Sequence, residues 1–463
     1  MKVYNSLSRT IEEFKPIEEG KVYLYVCGLT PYDHAHLGHA RTYLSMDTIK
    51  RYLMHKGYIV HHTQNVTDIE DKIFKRSREK GISPLLLSEK FQNEALEEFD
   101  SLNIIRADNY PKVSEHIPQI IRMIRNIIDN GHAYETESGV YFSVSSFLDY
   151  GKLSGQNLEE IERGSRISID PTKKDPADFA LWKKGEDVLT FDSPWGRGRP
   201  GWHIECSAMS MEYTDGRTLD IHGGGRDLIF PHHENEIAQA ESAGNKPYCK
   251  YWMHTGFLTV NGEKMSKSLG NFITIRELLE KYPPYALRLF FLHSHYRSPV
   301  NYNQENISAA KTTAERMFNF LDKSNELPES GGSENIELRE KLSKEISNFY
   351  VAMDNDFDTS SALAHLFGLM NECFAEMQKA KPDFSAISTS KEEFKKMLWI
   401  FGLEKKQKKT SASFEKEINE LISAREKARE EKNFKLADEI RDNILKKGVL
   451  LEDTENGPKW KLK

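Results

Sequence analysis

The sequence predicts an α/β protein: a parallel-sheet domain interrupted by an insertion, then a helical bundle and a small C-terminal mixed α/β unit. Three observations carry this. Residues 21–27 (KVYLYVC) form a nearly continuous apolar and β-branched run, followed by Gly28, Pro31, a helical pattern and a second apolar run at 58–66. The same alternation resumes after a turn-rich interval that ends near Pro200. From about Ile307 onward the apolar residues recur at helical spacing.

In chain order, residues 1–110 hold the first half of the sheet domain: strand 21–27, a helix from about 38 to 55, and strand 58–66 after Gly57. Strand, helix and strand make a βαβ unit with adjacent parallel strands, so a ligand is expected at the strand ends. Residues 111–199 read as an inserted domain, with a helix at 116–130, a strand at 140–144 and turns at 194–200. The second half, 200–304, brings strand 219–222, helix 234–243, the apolar segment 251–260 and an Asn261-Gly262 turn. Residues 305–404 form the bundle, on the evidence of Met317, Phe318 and Leu321, then Ile346, Phe349 and Tyr350, then Leu363, Leu366 and Met370. Residues 326–335 read as a loop, and the KKQKKTSAS stretch at 405–413 as a linker. In the last unit, 405–463, Ile418, Leu421, Ile422, Arg425 and Arg429 fall at helical spacing, followed by a helix at 438–446 and a strand at 448–451.

Composition narrows the function. Of 463 residues, 38% are hydrophobic and 29% charged, and no apolar run approaches the ~20 residues a bilayer needs. Residues 1–14 do not resemble a signal sequence, so a cytoplasmic protein without membrane contact is expected. Cys27, Cys206, Cys249 and Cys373 are too scattered for a disulfide framework, which leaves metal binding, reactivity or plain burial. The net charge of −7 argues against wholesale wrapping of nucleic acid. Residues 405–463, with 16 Lys and Arg against 12 Asp and Glu, are the end that attracts RNA.

Three constellations carry chemistry. His36-Leu37-Gly38-His39 sits between a strand and a helix, where free N–H groups, a glycine and two imidazoles suit a phosphate. Lys264-Met265-Ser266-Lys267-Ser268 follows the Asn-Gly turn, and its ammonium and hydroxyl groups can hold a triphosphate and stabilise departing pyrophosphate. Such a loop should be mobile. The third is a dense set of metal-ligand types in residues 201–206, 220–225 and 230–236. His232 and Glu236 are four apart, sharing a face if helical, and Cys27 and Cys206 can supply thiolates, so zinc on Cys27, Cys206, His232 and Glu236 is expected. His222 and His233 remain alternatives to His232, and a purely structural zinc remains an alternative role.

The first two constellations resemble the "HIGH" and "KMSKS" signatures of class I aminoacyl-tRNA synthetases, with Leu37 in place of Ile. From residues 4–7 through 25–30, 201–209, 220–236 and 264–268 to 451–453, the chain resembles the cysteinyl-tRNA synthetase family. The resemblance implies a Rossmann-type catalytic domain with an inserted acceptor-end domain, and a ligase that joins L-cysteine to the 3′ end of tRNA(Cys) through cysteinyl-adenylate. It implies zinc on the four ligands above, Mg²⁺ with ATP, and a monomer. It further implies His36, Gly38 and His39 on ATP, catalytic Lys264 and Lys267 with Ser266 and Ser268 on the phosphates, and Gly224 and Asp227 at the nucleoside. Trp202 and Thr30 are implied in the cysteine pocket. Arg429, Asp438 and Asp453 match anticodon contacts, and Phe434 stands where many members carry Trp. Cysteine then differs from serine by a thiolate on a metal, a larger difference than an apolar pocket could generate. A rival enzyme with a small-molecule acceptor would have no need of the residues after Lys405.

Overall fold

The computed structural model describes residues 1–156, 170–186, 188–244, 246–266, 269–405, 412–454 and 457–462, which divide into two compact units, Met1–Glu404 and Lys405–Lys463. At the centre of the first lies a four-stranded parallel sheet. Its elements are β1 (Lys21–Leu29), α1 (Leu37–His55), β2 (Ile59–Val66), α2 (Pro84–Ser101), α3 (Trp202–Glu212), β3 (Leu219–Gly225), α4 (Glu234–Ser242), β4 (Cys249–Thr255) and, beyond the sheet, α5 (Ile275–Lys281). The strand order is β4-β3-β1-β2, with Tyr25 level with His222 and Tyr251 with Ile221. Chain order reverses direction between β1 and β3, so the crevice at their C-terminal ends is the place where such sheets bind ligands.

Both faces of the sheet are covered, which is why β1 reads as a nearly continuous apolar run instead of an alternating one and why β3, LDIHGGG, is buried almost throughout. One core joins Leu24 and Val26 of β1 to Leu44 and Ile49 of α1 and onward to Phe349 and Leu366 of the bundle. The other joins Tyr25 and Cys27 to Cys206, Trp252 and the inserted residues Ile124, Phe142 and Leu181. Asp47, fully buried on α1, receives Arg51 at 2.8 Å and also Arg288, whose Nε binds the Phe401 carbonyl at 2.8 Å. Pairing of both cations around one carboxylate is what makes this buried charge tolerable.

The insertion adds a helix, Ile117–Asp129, and an antiparallel sheet in the order Ala133–Glu135, Gly139–Phe142, Phe179–Lys184, Gly198–Pro200. The strand expected at 140–144 ends at Phe142, because the Val144 N–H turns away to the Asp178 carboxylate at 2.9 Å and starts a 3-10 turn. The apolar segment expected at 251–260 is two strands, β4 and Leu258–Val260, parted at Gly256, where a side chain would collide with the Ser298 carbonyl. The bundle consists of Gln304–Asn325, Ile336–Asp354, Thr359–Met377 and Phe384–Ile400. In the second unit Ala412–Glu430 and Phe434–Lys446 pack Ile418, Ile422 and Ile444 against Val449 of a hairpin formed by Val449–Thr454 and Gly457–Leu462.

Candidate metal centre and nucleotide site

β1 ends in a kink. Gly28 approaches β2 so closely that a side chain would overlap the Asn65 carbonyl, and its N–H donates to Asn65 Oδ1 at 2.8 Å. The kink presents the Cys27 thiol to one face of the sheet, while the Tyr43 hydroxyl of α1 holds the Cys27 carbonyl at 3.2 Å. Cys206 comes from the second turn of α3, and Glu236 from the first turn of α4. His232 precedes α4 in a distorted turn, since Pro231 has no N–H to extend the helix backwards and Phe230 is extended. It still faces Glu236, with Nε2 at 3.0 Å from Oε1.

The structure brings two overlapping donor groups together: Cys27, Cys206, His232 and Glu236, and Cys27, His222, His233 and Glu236, each with its ligand atoms within 4.8 Å of one another. All six residues are buried. Glu236 divides its oxygens between neighbours: Oε1 faces His232, and Oε2 receives His222 Nε2 at 2.8 Å and the Tyr248 hydroxyl at 3.0 Å. His233 turns Nε2 toward the Cys27 sulfur at 3.2 Å and Nδ1 toward His254 at 2.8 Å. His203 meets His232 Nδ1 at 2.9 Å, and the Trp202 ring lies 4.4 Å from the His232 ring while remaining 43% exposed. Thr30 directly follows the last residue of β1.

Within the group, the balance of burial and neighbouring charge draws Glu236 and Cys206 toward their anionic forms and Cys27 and His232 toward their protonated ones. Burial pushes the Glu236 carboxyl up, yet the imidazoles of His222 and His232 overcome it and hold the group well below the usual carboxylate range. The hydrogen bond from Cys27 brings the Cys206 thiol down to about 6 against its burial. Burial, together with Cys206, pushes the Cys27 thiol well up. Burial pulls His232 down, but Glu236 and Cys206 outweigh it and raise the imidazole to about 10. Two sulfurs, a nitrogen and a carboxylate oxygen can hold a metal ion; this mixture of soft and borderline donors suits a transition-series ion better than Mg²⁺ or Ca²⁺.

The nucleotide side begins one loop later. His36 caps α1: its Nδ1 accepts from the N–H groups of Gly38 at 3.1 Å and His39 at 3.4 Å, while His39 Nδ1 accepts from the His36 N–H at 3.2 Å. The rings stack at 3.6 Å, and a side chain at position 38 would press on the His36 ring at 3.0 Å. With both Nδ1 atoms accepting, the ring protons sit on Nε2, giving two donors at the positive end of a helix. Burial, with His36 adding to it, holds the His39 imidazole well below its usual range.

Lys264 lies exposed on a short hairpin, Leu258–Val260 against Glu263–Lys264, turned by Asn261 and Gly262 in left-handed conformations. Asn271 closes the following loop, accepting from the Ser266 N–H at 2.8 Å and donating to the Lys264 carbonyl at 3.1 Å. Lys267 and Ser268 lie outside the described residues. The chain then pairs with the first motif: the Leu37 N–H binds the Ile273 carbonyl and the Ile275 N–H the Ala35 carbonyl, each at 3.0 Å. Gly224 is packed under His233 and Leu228, and Asp227 is exposed just beyond the end of β3.

In the second unit Phe434 is 64% exposed at the start of its helix, with Asp438 exposed one turn later. Arg429 pairs with Glu426 at 3.4 Å. Asp453 belongs to the strand Val449–Thr454, its side chain outside the described residues. Sequence reasoning assigned no role to His203, His254, Tyr43, Asn65, Tyr248 or Asn271. His203 falls inside a motif already noted, whereas Tyr248 carries no local signal at all.

Comparison with known proteins identifies the family. Residues 13–312 match the family described as tRNA synthetases class I (C) catalytic domain, residues 348–405 the DALR domain, and residues 411–460 the cysteinyl-tRNA ligase anticodon binding domain. A cysteine–tRNA ligase of Carboxydothermus hydrogenoformans is 48% identical over 100% of both chains. One from Thermococcus onnurineus is 49% identical over 100% of this chain and 99% of its own. Among solved structures, Mycobacterium tuberculosis methionyl-tRNA synthetase with methionyl-adenylate superposes with a TM-score of 0.63 at 16% identity, covering 83% of this chain and 90% of the other. At that identity the likeness speaks for the fold alone. With relatives at nearly half identity along its full length, the chain belongs to the cysteine–tRNA ligase family of class I aminoacyl-tRNA synthetases.

Proposed function

We propose that the chain activates L-cysteine with ATP and transfers it to tRNA(Cys), with zinc at Cys27, Cys206, His232 and Glu236 as the selecting element. In the first step the cysteine carboxylate attacks the α-phosphate and pyrophosphate leaves. In the second, a 3′-terminal hydroxyl of the tRNA attacks the activated carbonyl and AMP leaves. The observation that carries this reading is the position of the donor group at the end of β1, one loop away from the capped start of α1. A side chain held at that group leaves its own carboxylate to reach toward the nucleotide.

Of the two donor groups, the one containing Cys206 is favoured because it adds a second sulfur, while His222 is already occupied orienting Glu236 and stacks on Trp252 at 4.6 Å. A bound zinc ion would supply Lewis acidity that lowers the pKa of a thiol and favours it over the harder hydroxyl of serine. The chain supplies the rest. Trp202, half-exposed against His232, is a wall that shields the pocket from water. The Nε2–H groups of His36 and His39 donate to phosphate oxygens at the helix N-terminus, with the ATP accompanied by Mg²⁺. Lys264 and, from the sequence, Lys267 with Ser266 and Ser268 receive the charge that develops on pyrophosphate. Gly224 and Asp227 border the nucleoside, and Thr30 the amino acid. Catalysis is positioning and charge stabilisation, with no covalent enzyme intermediate.

In the second unit, exposed Phe434 offers a stacking platform for the unpaired anticodon, and Arg429, Asp438 and Asp453 are proposed from the sequence as its polar contacts. A monomeric, cytoplasmic enzyme is part of the proposal; no described helix is long and apolar enough to cross a membrane, and all four cysteines are free. The test is charging of a tRNA(Cys) transcript. Cysteine should be attached and serine should not, and exchanging the anticodon should lower the rate at unchanged cysteine activation. Equal attachment of serine, or indifference to the tRNA, would contradict the reading.

A further inference from the structure

We infer that Glu94 and Arg276 are positioning residues for the activation step, forming a brace that keeps the exit of the Lys264 loop seated on the first nucleotide motif. Three elements meet there. The loop before α1 brings His34, whose Nδ1 lies 3.0 Å from Glu94 Oε2. The helix after the Lys264 loop, α5, brings Arg276, whose Nη2 lies 3.4 Å from the same oxygen and whose Nε lies 3.4 Å from Glu98 Oε1. The third element, α2, carries both carboxylates one turn apart and packs the Phe91 ring edge-on beneath His34 at 5.2 Å. One oxygen of Glu94 therefore faces the cation following one motif and the imidazole preceding the other.

The backbone shows what this secures. The paired N–H groups of Leu37 and Ile275 are the only two ladder bonds described between the motifs, and they flank His36, whose ring meets Phe272 edge-on at 5.2 Å. Two hydrogen bonds make a weak seam on their own. The pairing is antiparallel, with His36 opposite Thr274, so His34 and Arg276 stand opposite one another at one end of the seam and the brace closes that end. Its anchors differ: Glu98 is 6% exposed and Thr274 fixes the start of α5 through a reciprocal cap with Glu277, whereas the Arg276 side chain is 47% exposed and meets the two carboxylates at ion-pair distance. The exit of the loop then stays in register with His36 and His39. Displacement of reacting groups by a fraction of an ångström is costly in steps that depend on positioning.

The inference rests on the activating reaction proposed above, so cysteine-dependent ATP–pyrophosphate exchange is measured in the full chain and in Arg276→Gln, Glu94→Gln, the double variant and Arg276→Lys, with bound metal and melting temperature determined for each. The expected result is a fall in kcat of about tenfold in each Gln variant, with KM for cysteine and metal content unchanged. The double variant should cost no more than the worse single one, and Arg276→Lys should recover most of the rate. Hydrogen exchange at the Leu37 and Ile275 amides should quicken in step with the loss. Unchanged kcat, additive losses, or losses that merely track metal content or melting temperature would overturn the brace. Absence of exchange in the unaltered chain would instead remove the activating reaction, and the brace with it.

Discussion

The two halves of the site are built to opposite specifications. Cys27, Cys206, His232 and Glu236 are 7% exposed or less and are enclosed by a further ring of side chains, His203, His222, Tyr248 and Trp202. Lys264 is exposed, and the loop it opens is closed by the side-chain amide of Asn271. A group that must tell sulfur from oxygen has to hold its atoms at fixed distances, and burial with interlocked hydrogen bonds achieves that. Under the function proposed above, a group that receives charge on departing pyrophosphate has also to let the product out.

The contrast can be broken most severely at Glu236. Glu236→Gln removes the charge that both His222 and His232 face; metal content and cysteine-dependent exchange should fall more than about 100-fold, beyond the 10–100-fold typical of outer partners. Tyr248→Phe keeps the ring and deletes only the hydroxyl on Oε2, so a metal titration should show affinity weakened by about tenfold. On the lightly tethered side, Asn271→Ala loses two hydrogen bonds, and exchange kcat should drop about tenfold with metal retained. Equal metal loss in that variant would show that the halves are not independent. In the second unit, Phe434→Ala should leave exchange unchanged and slow tRNA charging by about tenfold, as expected for one lost stacking contact.

The smallest effect is one of pH. Burial pushes the Glu98 carboxyl up to about 7 from 4.5, with Arg276 opposing and Glu94 reinforcing the rise. The folded chain therefore takes up a proton there more readily than the unfolded one. Glu98 contributes stability that is complete below 4.5 and lost as pH rises through about 7. Replacing it by Gln should narrow the difference in melting temperature between mildly acidic and mildly alkaline solution, and an unchanged difference would refute the shift.

Much of this arrangement is legible in the sequence because it is local. The strand–loop–helix around Cys27 and His36 and the Asn261-Gly262 hairpin announce themselves through composition and turn chemistry over a few residues. The donor group is legible for a different reason: thiol, imidazole and carboxylate together are rare enough to be noticed even when Cys27 and Cys206 stand far apart in the chain. What could not be read depends on tertiary contact. Tyr248 reaches Glu236 only because β4 lies beside β3, and His232 and His222 face opposite oxygens of Glu236, which only the folded chain displays. The end of the strand at Phe142 is decided by Asp178, a residue from another strand's approach. The seam between the two motifs is likewise invisible, since residues 35 and 275 meet only in the folded chain.

The most direct test of the central claim is ATP–pyrophosphate exchange with cysteine and with serine, in the native chain and in Cys206→Ser, with metal quantified in both. The account predicts strong exchange with cysteine alone, lost together with the metal in the variant. Exchange that persists in metal-free Cys206→Ser with cysteine still preferred over serine would contradict it, and would reduce the buried cluster to a structural tie.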